Sequence, residues 1–387
     1  MYEHKGKLFA LGFLGAAAVL VYVWVPRIHP IEEGGEADVY SAEDDLAESR
    51  SKAKCSLHDK PDIGQVPITG TCSKRCSKMK HDCGKFFVGE PWPPSSYGNS
   101  GSRSDSCQIC QIQGNEYRFA TLYNTKYRIP EYTAAVIQRE KGAKQSERPK
   151  DDYVLWKRVQ LGLCSENFRE KHPKCKPLCD VSMPWGFYNT LLRQCGACQA
   201  LSGDLDGCSE KIGVERGHLD PSQINNQDEA TMNATFSMIN MAPQANLFNG
   251  GPWNLLEGEI MLLAQEVFKN KNKYLYIITG TKMSENKHDK WVKGRVLFPK
   301  YFWKAVCYTG KDGAGTGAFG MGVYGLNDNN TKKKDLESNM SSLPAFNKWL
   351  YGANTKKHIF QGSVCAEDGI QVWKPKLREA NELDDEL

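Results

Sequence analysis

Residues 215–218 read Glu-Arg-Gly-His, and from Ile239 to Glu259 the chain reads INMAPQANLFNGGPWNLLEGE. The run KIGVERGHL, residues 211–219, reads as a strand. Farther on, Pro252 suits a helix start, and Leu255, Leu256, Ile260, Leu263 and Val267 recur along one face of a helix over residues 252–270. Elements this close in sequence are expected to be neighbours in space. Between them they would present His218, whose ordinary pKa of about 6.5 leaves it largely neutral near pH 7. Each residue also has a plain structural reading. His218 alone fits an exposed or structural histidine, Asn249 before Gly250-Gly251-Pro252 fits a turn or a helix cap, and Glu257 fits a solvated helix carboxylate.

Outward from this stretch, DEATMNATFSMINMAPQ (residues 228–244) carries Met232, Phe236, Ile239 and Met241 at roughly helical spacing, with a break expected at Pro243. KYLYIITGT, RVLFPKYFWKAVCYT and GAFGMGVYGLN are strand-like, and YRFATLYNTKYRIPEYTAAVIQRE reads as a strand or hairpin. No internal repeat is present. The order of elements predicts an α+β domain built on a mostly antiparallel sheet.

Composition sets the frame. The chain has 387 residues, 25% charged and 40% hydrophobic, with a net charge of +4, so any phosphate affinity has to come from local basic clusters. Basic stretches such as KNKNKY and TKKKD fit a phosphate contact or a solvated face. Lys5 and Lys7 precede an uncharged run of 18 residues from Leu8 to Val25, about the minimum for crossing a bilayer. Residues 1–30 therefore read as a signal-anchor, a membrane partnership with the amino end cytoplasmic, or as a cleaved signal peptide. Either places the rest in the secretory pathway, lumenal or extracellular. Residues 31–54 form an acidic linker, 55–110 a loop-rich, Cys-rich segment, 111–375 the main domain with a Cys-rich insertion at 164–208, and 376–387 an acidic tail. The terminal DDEL matches an ER-retention ending in its last three residues but has Asp where that ending has Lys or His, and reads as an acidic solvated tail or as a weak retention signal.

The 14 cysteines fall into three even groups: Cys55, Cys72, Cys76, Cys83, Cys107 and Cys110; Cys164, Cys175, Cys179, Cys195, Cys198 and Cys208; and Cys307 with Cys365. Even local groups behind an entry signal predict disulfides, without choosing the pairing. The rival is zinc on the C-x-x-C pairs, although their spacing fits no compact four-cysteine finger. Asn233, Asn329 and Asn339 begin N-x-S/T triplets, glycosylation candidates if the chain is secreted.

ERGH followed by N-x-x-P-Q (Asn240 to Gln244) and F-N-x-x-x-W-x-x-L-E (Phe248 to Glu257) resembles the two signatures of the DNA/RNA non-specific endonucleases, the ββα-metal or His-Me finger nucleases that include endonuclease G. The signatures lie 31 residues apart from His218 to Asn249, and the strands KYLYIITGT and VLFPKYFWKAV fit the family as well. CGKFF, CQICQ and RFATLYNTKYRIPEYTA are similar to segments of the endonuclease domain-containing 1 proteins within it. The resemblance covers roughly residues 115–330. It implies a ββα-metal nuclease domain acting on DNA or RNA, with Mg²⁺ or Mn²⁺ as cofactor and 5′-phosphate products. By the same resemblance His218 is the general base, Asn249 the direct metal ligand, Glu257 the carboxylate that orients water at the metal, and Arg216 a phosphate contact. Asn240 supports the site's backbone. Arg148 is the candidate for an arginine that stabilises the transition state, chosen by its order in the chain. A basic residue common in the family four positions after the glutamate is replaced here by Met261. The alternative is a catalytically inactive, membrane-tethered binding or scaffold protein of the same fold.

Overall fold

The computed structural model describes residues 55–60, 83–88, 92–97, 105–113, 116–137, 199–200, 204–205, 208–225, 229–268, 274–285, 289–309, 317–360 and 365. The apolar run at 8–25, the acidic linker, the acidic tail, Arg148 and most of the 164–208 insertion lie outside them. Among the described residues no helix is long and apolar enough to cross a membrane.

In chain order the elements are β1 (Leu57–His58), β2 (Ser106–Gln113), β3 (Glu116–Asn124), β4 (Ile129–Ile137), α1 (Cys208–Ile212), β5 (Val214–His218), α2 (Glu229–Thr235), β6 (Met241–Ala245), α3 (Asn254–Phe268), β7 (Leu275–Lys282), β8 (Lys290–Val292), β9 (Val296–Phe298), β10 (Tyr301–Tyr308), β11 (Phe319–Leu326), α4 (Lys333–Ser338), β12 (Ser341–Ser342) and α5 (Leu343–Tyr351). A seven-stranded sheet in the order β12-β11-β10-β7-β4-β3-β2 forms the centre, and each of its pairings is antiparallel. The α+β class is borne out.

Alternation along β10 shows how the sheet divides the core. Phe302 and Val306 join Trp253, Leu256, Ile260 and Leu263 on the α3 side, whereas Trp303, Ala305 and Cys307 pack with Phe346 and Leu350 of α5. Lys304 falls on the α3 side, a lysine in register with core residues. β5 and β6 form a separate two-stranded antiparallel ribbon, and with α3 they make a β-β-α unit.

Three expectations need correction. Leu255 does not lie on the buried face of α3: it is 53% exposed, while Ala264 takes a place beside Leu256, Ile260 and Leu263. At 100° per residue Leu255 points too far from Ile260 to share its stripe. Pro243 does not end a helix. α2 stops at Thr235, and Pro243 sits in β6, tolerated because a two-stranded ribbon leaves a free edge for a residue without an N–H. The segment 55–110 is not loop to its end, since Cys107 and Cys110 lie in β2, an edge strand of the main sheet. The disulfides cross the cysteine groups, since Cys55 of the first pairs with Cys208 of the second. Cys83 pairs with Cys110 and Cys307 with Cys365, Cys107 is disulfide-bonded too, and no cysteine among the described residues is free. Cys107 and Cys110 therefore do not form a zinc clamp.

Candidate active site

In the β5–β6 ribbon Glu215 faces Gln244, Arg216 faces Pro243, Gly217 faces Ala242 and His218 faces Met241. Arg216 and His218 share one side of β5, and Glu215 points to the other. A Cβ on Gly217 would meet Gln244 Oε1 at 2.2 Å and Gln244 Cβ at 2.6 Å, so only glycine lets the buried glutamine lie there. The half-buried His218 ring meets Phe236 edge-on, with centroids 5.3 Å apart.

Asn240 locks the turn after the histidine. Fully buried, it accepts from the Asp220 N–H at 2.8 Å and donates to the carbonyls of Asp220 (2.8 Å) and Thr235 (2.9 Å). Its own carbonyl accepts from the Leu219 N–H at 2.9 Å. The side chain is thus taken up by backbone.

From β6 the chain makes a helical turn at Asn246–Phe248 and a wider π-type turn at Asn249–Trp253, kinked at Gly251 (φ −106°, ψ −111°), before α3. Such widened turns recur at functional sites because they swing a side chain out of the regular helical row. Two aromatic residues clamp this turn to the sheet, Phe248 and Trp253 lying 6.4 and 5.8 Å from the Phe302 ring. Asn327 secures its start by accepting from the Ala245 N–H at 2.8 Å and donating to the Pro243 and Pro299 carbonyls. Asn329, one of the sequon asparagines, accepts from the Leu247 N–H at 3.1 Å.

Asn249 caps the Asn246–Phe248 turn through its backbone N–H, which donates to the Asn246 carbonyl, and not through its side chain, whose Nδ2 donates to Glu215 Oε2 at 3.0 Å. Glu215 Oε1 in turn accepts from Ser209 Oγ at 3.0 Å. An ionised carboxylate only accepts, so this bond fixes the amide's orientation and leaves Oδ1 as its remaining acceptor. Glu257 is not solvated either. It is buried in the first turn of α3, where Lys304 Nζ approaches its Oε1 at 3.3 Å, donates to Thr279 Oγ1 at 2.8 Å and lies over the Trp253 ring.

Burial raises the Glu257 pKa and the Lys304 charge opposes the rise; burial lowers the Lys304 pKa, with Glu257 and Asp220 opposing. Asp220, two residues after His218, is pushed up to about 7 by burial, against the pull of an Asn225 amide that donates to it at 2.7 Å and of Lys304.

The structure therefore joins Glu215 to Asn249 directly, ties Asn240 to the turn beside His218, and sets Glu257 into a buried charge cluster with Lys304 and Asp220. Arg216 is half-buried on β5, and Met261 packs partly buried against the core. Glu215, Asp220, Gln244 and Lys304 received no role from the sequence. For Lys304 a signal existed, a lysine at an inward position of a strand flanked by Phe302 and Val306. Among the described residues no group of three or more His, Cys, Asp or Glu side chains could hold a metal ion.

The family model described as DNA/RNA non-specific endonuclease matches residues 104–355, well over half of the chain. The chain belongs to that family. Among curated proteins, human "Endonuclease domain-containing 1 protein" is 27% identical over 307 residues, 79% of this chain and 52% of the relative, and a "Nuclease" from Nostoc is 35% identical over 103 residues, 27% of this chain and 35% of the relative. The chain thus spans about half the length of the human relative and a smaller share of the Nostoc one. A chain in the solved structure of the EndoG/EndoGI complex matches 62% of this chain and 83% of its own at 15% identity, with a TM-score of 0.37. Membership of the non-specific endonucleases makes the β5–β6–α3 unit the ββα unit of that fold, and it places ERGH, Asn249 and Glu257 within the matched residues.

Proposed function

We propose that this protein is an endonuclease of low sequence specificity that hydrolyses phosphodiester bonds of DNA or RNA with Mg²⁺ or Mn²⁺ and leaves 5′-phosphate products. The observation that carries the reading is the Glu215–Asn249 hydrogen bond, which commits the asparagine amide and leaves a hard oxygen, Oδ1, as the donor for a divalent cation. When bound there, the cation supplies charge neutralisation at the phosphate and the leaving-group oxygen. His218 Nδ1 or Nε2 takes the proton of the attacking water, a role suited to imidazole near neutral pH. Arg216 contacts the phosphate through its planar fork, and Arg148 is retained as a further cation at the transition state. Glu257 orients water around the cation, and Asn240 holds the backbone on which His218 stands. Contacts to backbone phosphates rather than base edges give low specificity.

The disulfides support an oxidising, lumenal or extracellular setting. Within it, residues 1–30 are proposed as the membrane anchor or signal, and Asn233, Asn329 and Asn339 as glycan sites.

Plasmid DNA and RNA digestion by the disulfide-intact chain tests the reading, with Mg²⁺, with EDTA, and with His218→Ala. Cleavage lost in both controls, by about 10²–10⁴-fold for the variant, is expected. Folded protein that cuts neither substrate would put the inactive scaffold in first place.

A further inference from the structure

Lys304 is a full lysine side chain at 0% exposure, in a strand position whose neighbours on the same face, Phe302 and Val306, are core residues. Across the β7–β10 ladder its direct partner is Thr279, whose hydroxyl accepts from Nζ at 2.8 Å. The ammonium is therefore held at a fixed point, and from there it reaches Glu257 Oε1 at 3.3 Å. Burying such a pair brings little net stability over apolar side chains of similar volume, because both ions lose their hydration. Fold stability accordingly gives no account of a lysine here; the state of Glu257 does.

We propose that Lys304 is a positioning residue for Glu257: anchored on Thr279 and aimed at Oε1, its ammonium presents Glu257 as an ionised carboxylate in one orientation. The inference rests on the nuclease reading, in which Glu257 acts on water near the scissile phosphate. Two buried acids share this one lysine. Asp220 approaches from the turn after β5 and Glu257 from α3, while Trp253 closes the cluster from the turn before α3. Without the ammonium, burial favours the protonated form of Glu257. A protonated Glu257 loses an acceptor that water requires.

The test combines a double-mutant cycle with a titration that does not depend on activity. Glutamate side chains are labelled with carbon-13, and the Glu257 carboxyl resonance is assigned by its loss in Glu257→Gln. In Lys304→Met that resonance is expected to titrate at higher pH than in the wild type, and in Thr279→Val to move the same way by less. In DNA cleavage, Lys304→Met is expected to lower kcat by about 10–100-fold. The double variant Lys304→Met/Glu257→Gln should stay within about threefold of Glu257→Gln alone, since additivity fails for residues that act through one another. Its urea midpoint should be no lower than that of the wild type. An unmoved Glu257 resonance in the lysine variant, or losses that multiply in the double variant, would overturn the proposal. If Lys304→Met does not fold, Thr279→Val decides by the same resonance. A wild-type chain that cuts nothing ends the nuclease reading and with it a catalytic part for Glu257, while the titration still decides whether Lys304 sets its charge.

Discussion

Asp220 shows what a buried carboxyl does to a protein when its pairing is incomplete. Its folded-state pKa is about 7 against an ordinary 3.8, with burial the leading cause. A raised folded pKa means that the native state holds a proton that the unfolded chain releases, so the stabilising contribution is full below pH about 4 and is lost as pH rises through about 7. Asp220→Asn removes that loss and keeps an acceptor for the Asn225 amide. Urea unfolding should show the variant gaining on the wild type across this window, by roughly 1–3 kcal/mol at pH 8. A stability difference that does not change between pH 4 and 8 would mean that Asp220 is not the titrating group. Residues of this kind were poorly legible in the sequence. ERGH, Asn249 and Glu257 stand in spaced signatures, but Asp220 and Lys304 influence one another electrostatically only in the fold, across 84 residues that no local pattern spans.

At the scale of elements, alternation made the strands readable, because a sheet covered on both faces still imposes a two-residue period on size and shape. YRFATLYNTKYRIPEYTAAVI became the β3–β4 hairpin, KYLYIITGT became β7 and GAFGMGVYGLN β11, while RVLFPKYFWKAVCYT divides at Pro299 into β9 and β10. The helical stretches misled at their edges. Apolar residues at 232, 236, 239 and 241 look periodic, yet the hydrogen bonds of Asn240 draw the segment out of helix and into β6. In α3, Leu255 looked like part of the stripe and faces solvent, whereas Ile260 is fully buried beneath the sheet. Ile260→Ala should therefore lower unfolding free energy by about 2–5 kcal/mol, the cost of lost transfer energy plus a cavity. Leu255→Ala should stay within about 0.5 kcal/mol. Equal losses in the two variants, read from urea midpoints at constant slope, would contradict the orientation of α3 on which the placement of Glu257 depends.

On the scale of the whole molecule, the stapling crosses regions that look separate in the sequence. Cys55 and Cys208 are 153 residues apart, and their bond brings the first described strand, β1, to α1, immediately before the ERGH strand. Around it pack Leu205, Val214 and Val292, while β1 pairs with β8. The front segment is in this way fastened to the base of the β5–β6 ribbon. Arg295 reinforces the junction from the other side, donating from Nε to buried Asp204 at 2.8 Å and from Nη2 to the Gln199 carbonyl at 2.6 Å. A crosslink over so long a span removes much of the unfolded chain's freedom, an effect of typically 2–4 kcal/mol, and here the constrained end lies seven residues before Glu215, the residue that orients Asn249. Replacing both cysteines by serine should lower the unfolding free energy by about that amount. It should also weaken Mn²⁺ binding, measured by electron paramagnetic resonance without substrate, because Ser209, the neighbour of Cys208, holds the other oxygen of Glu215. A variant that loses stability and keeps its Mn²⁺ affinity would separate the staple from the site and leave the Glu215–Asn249 bond to stand on the ribbon alone.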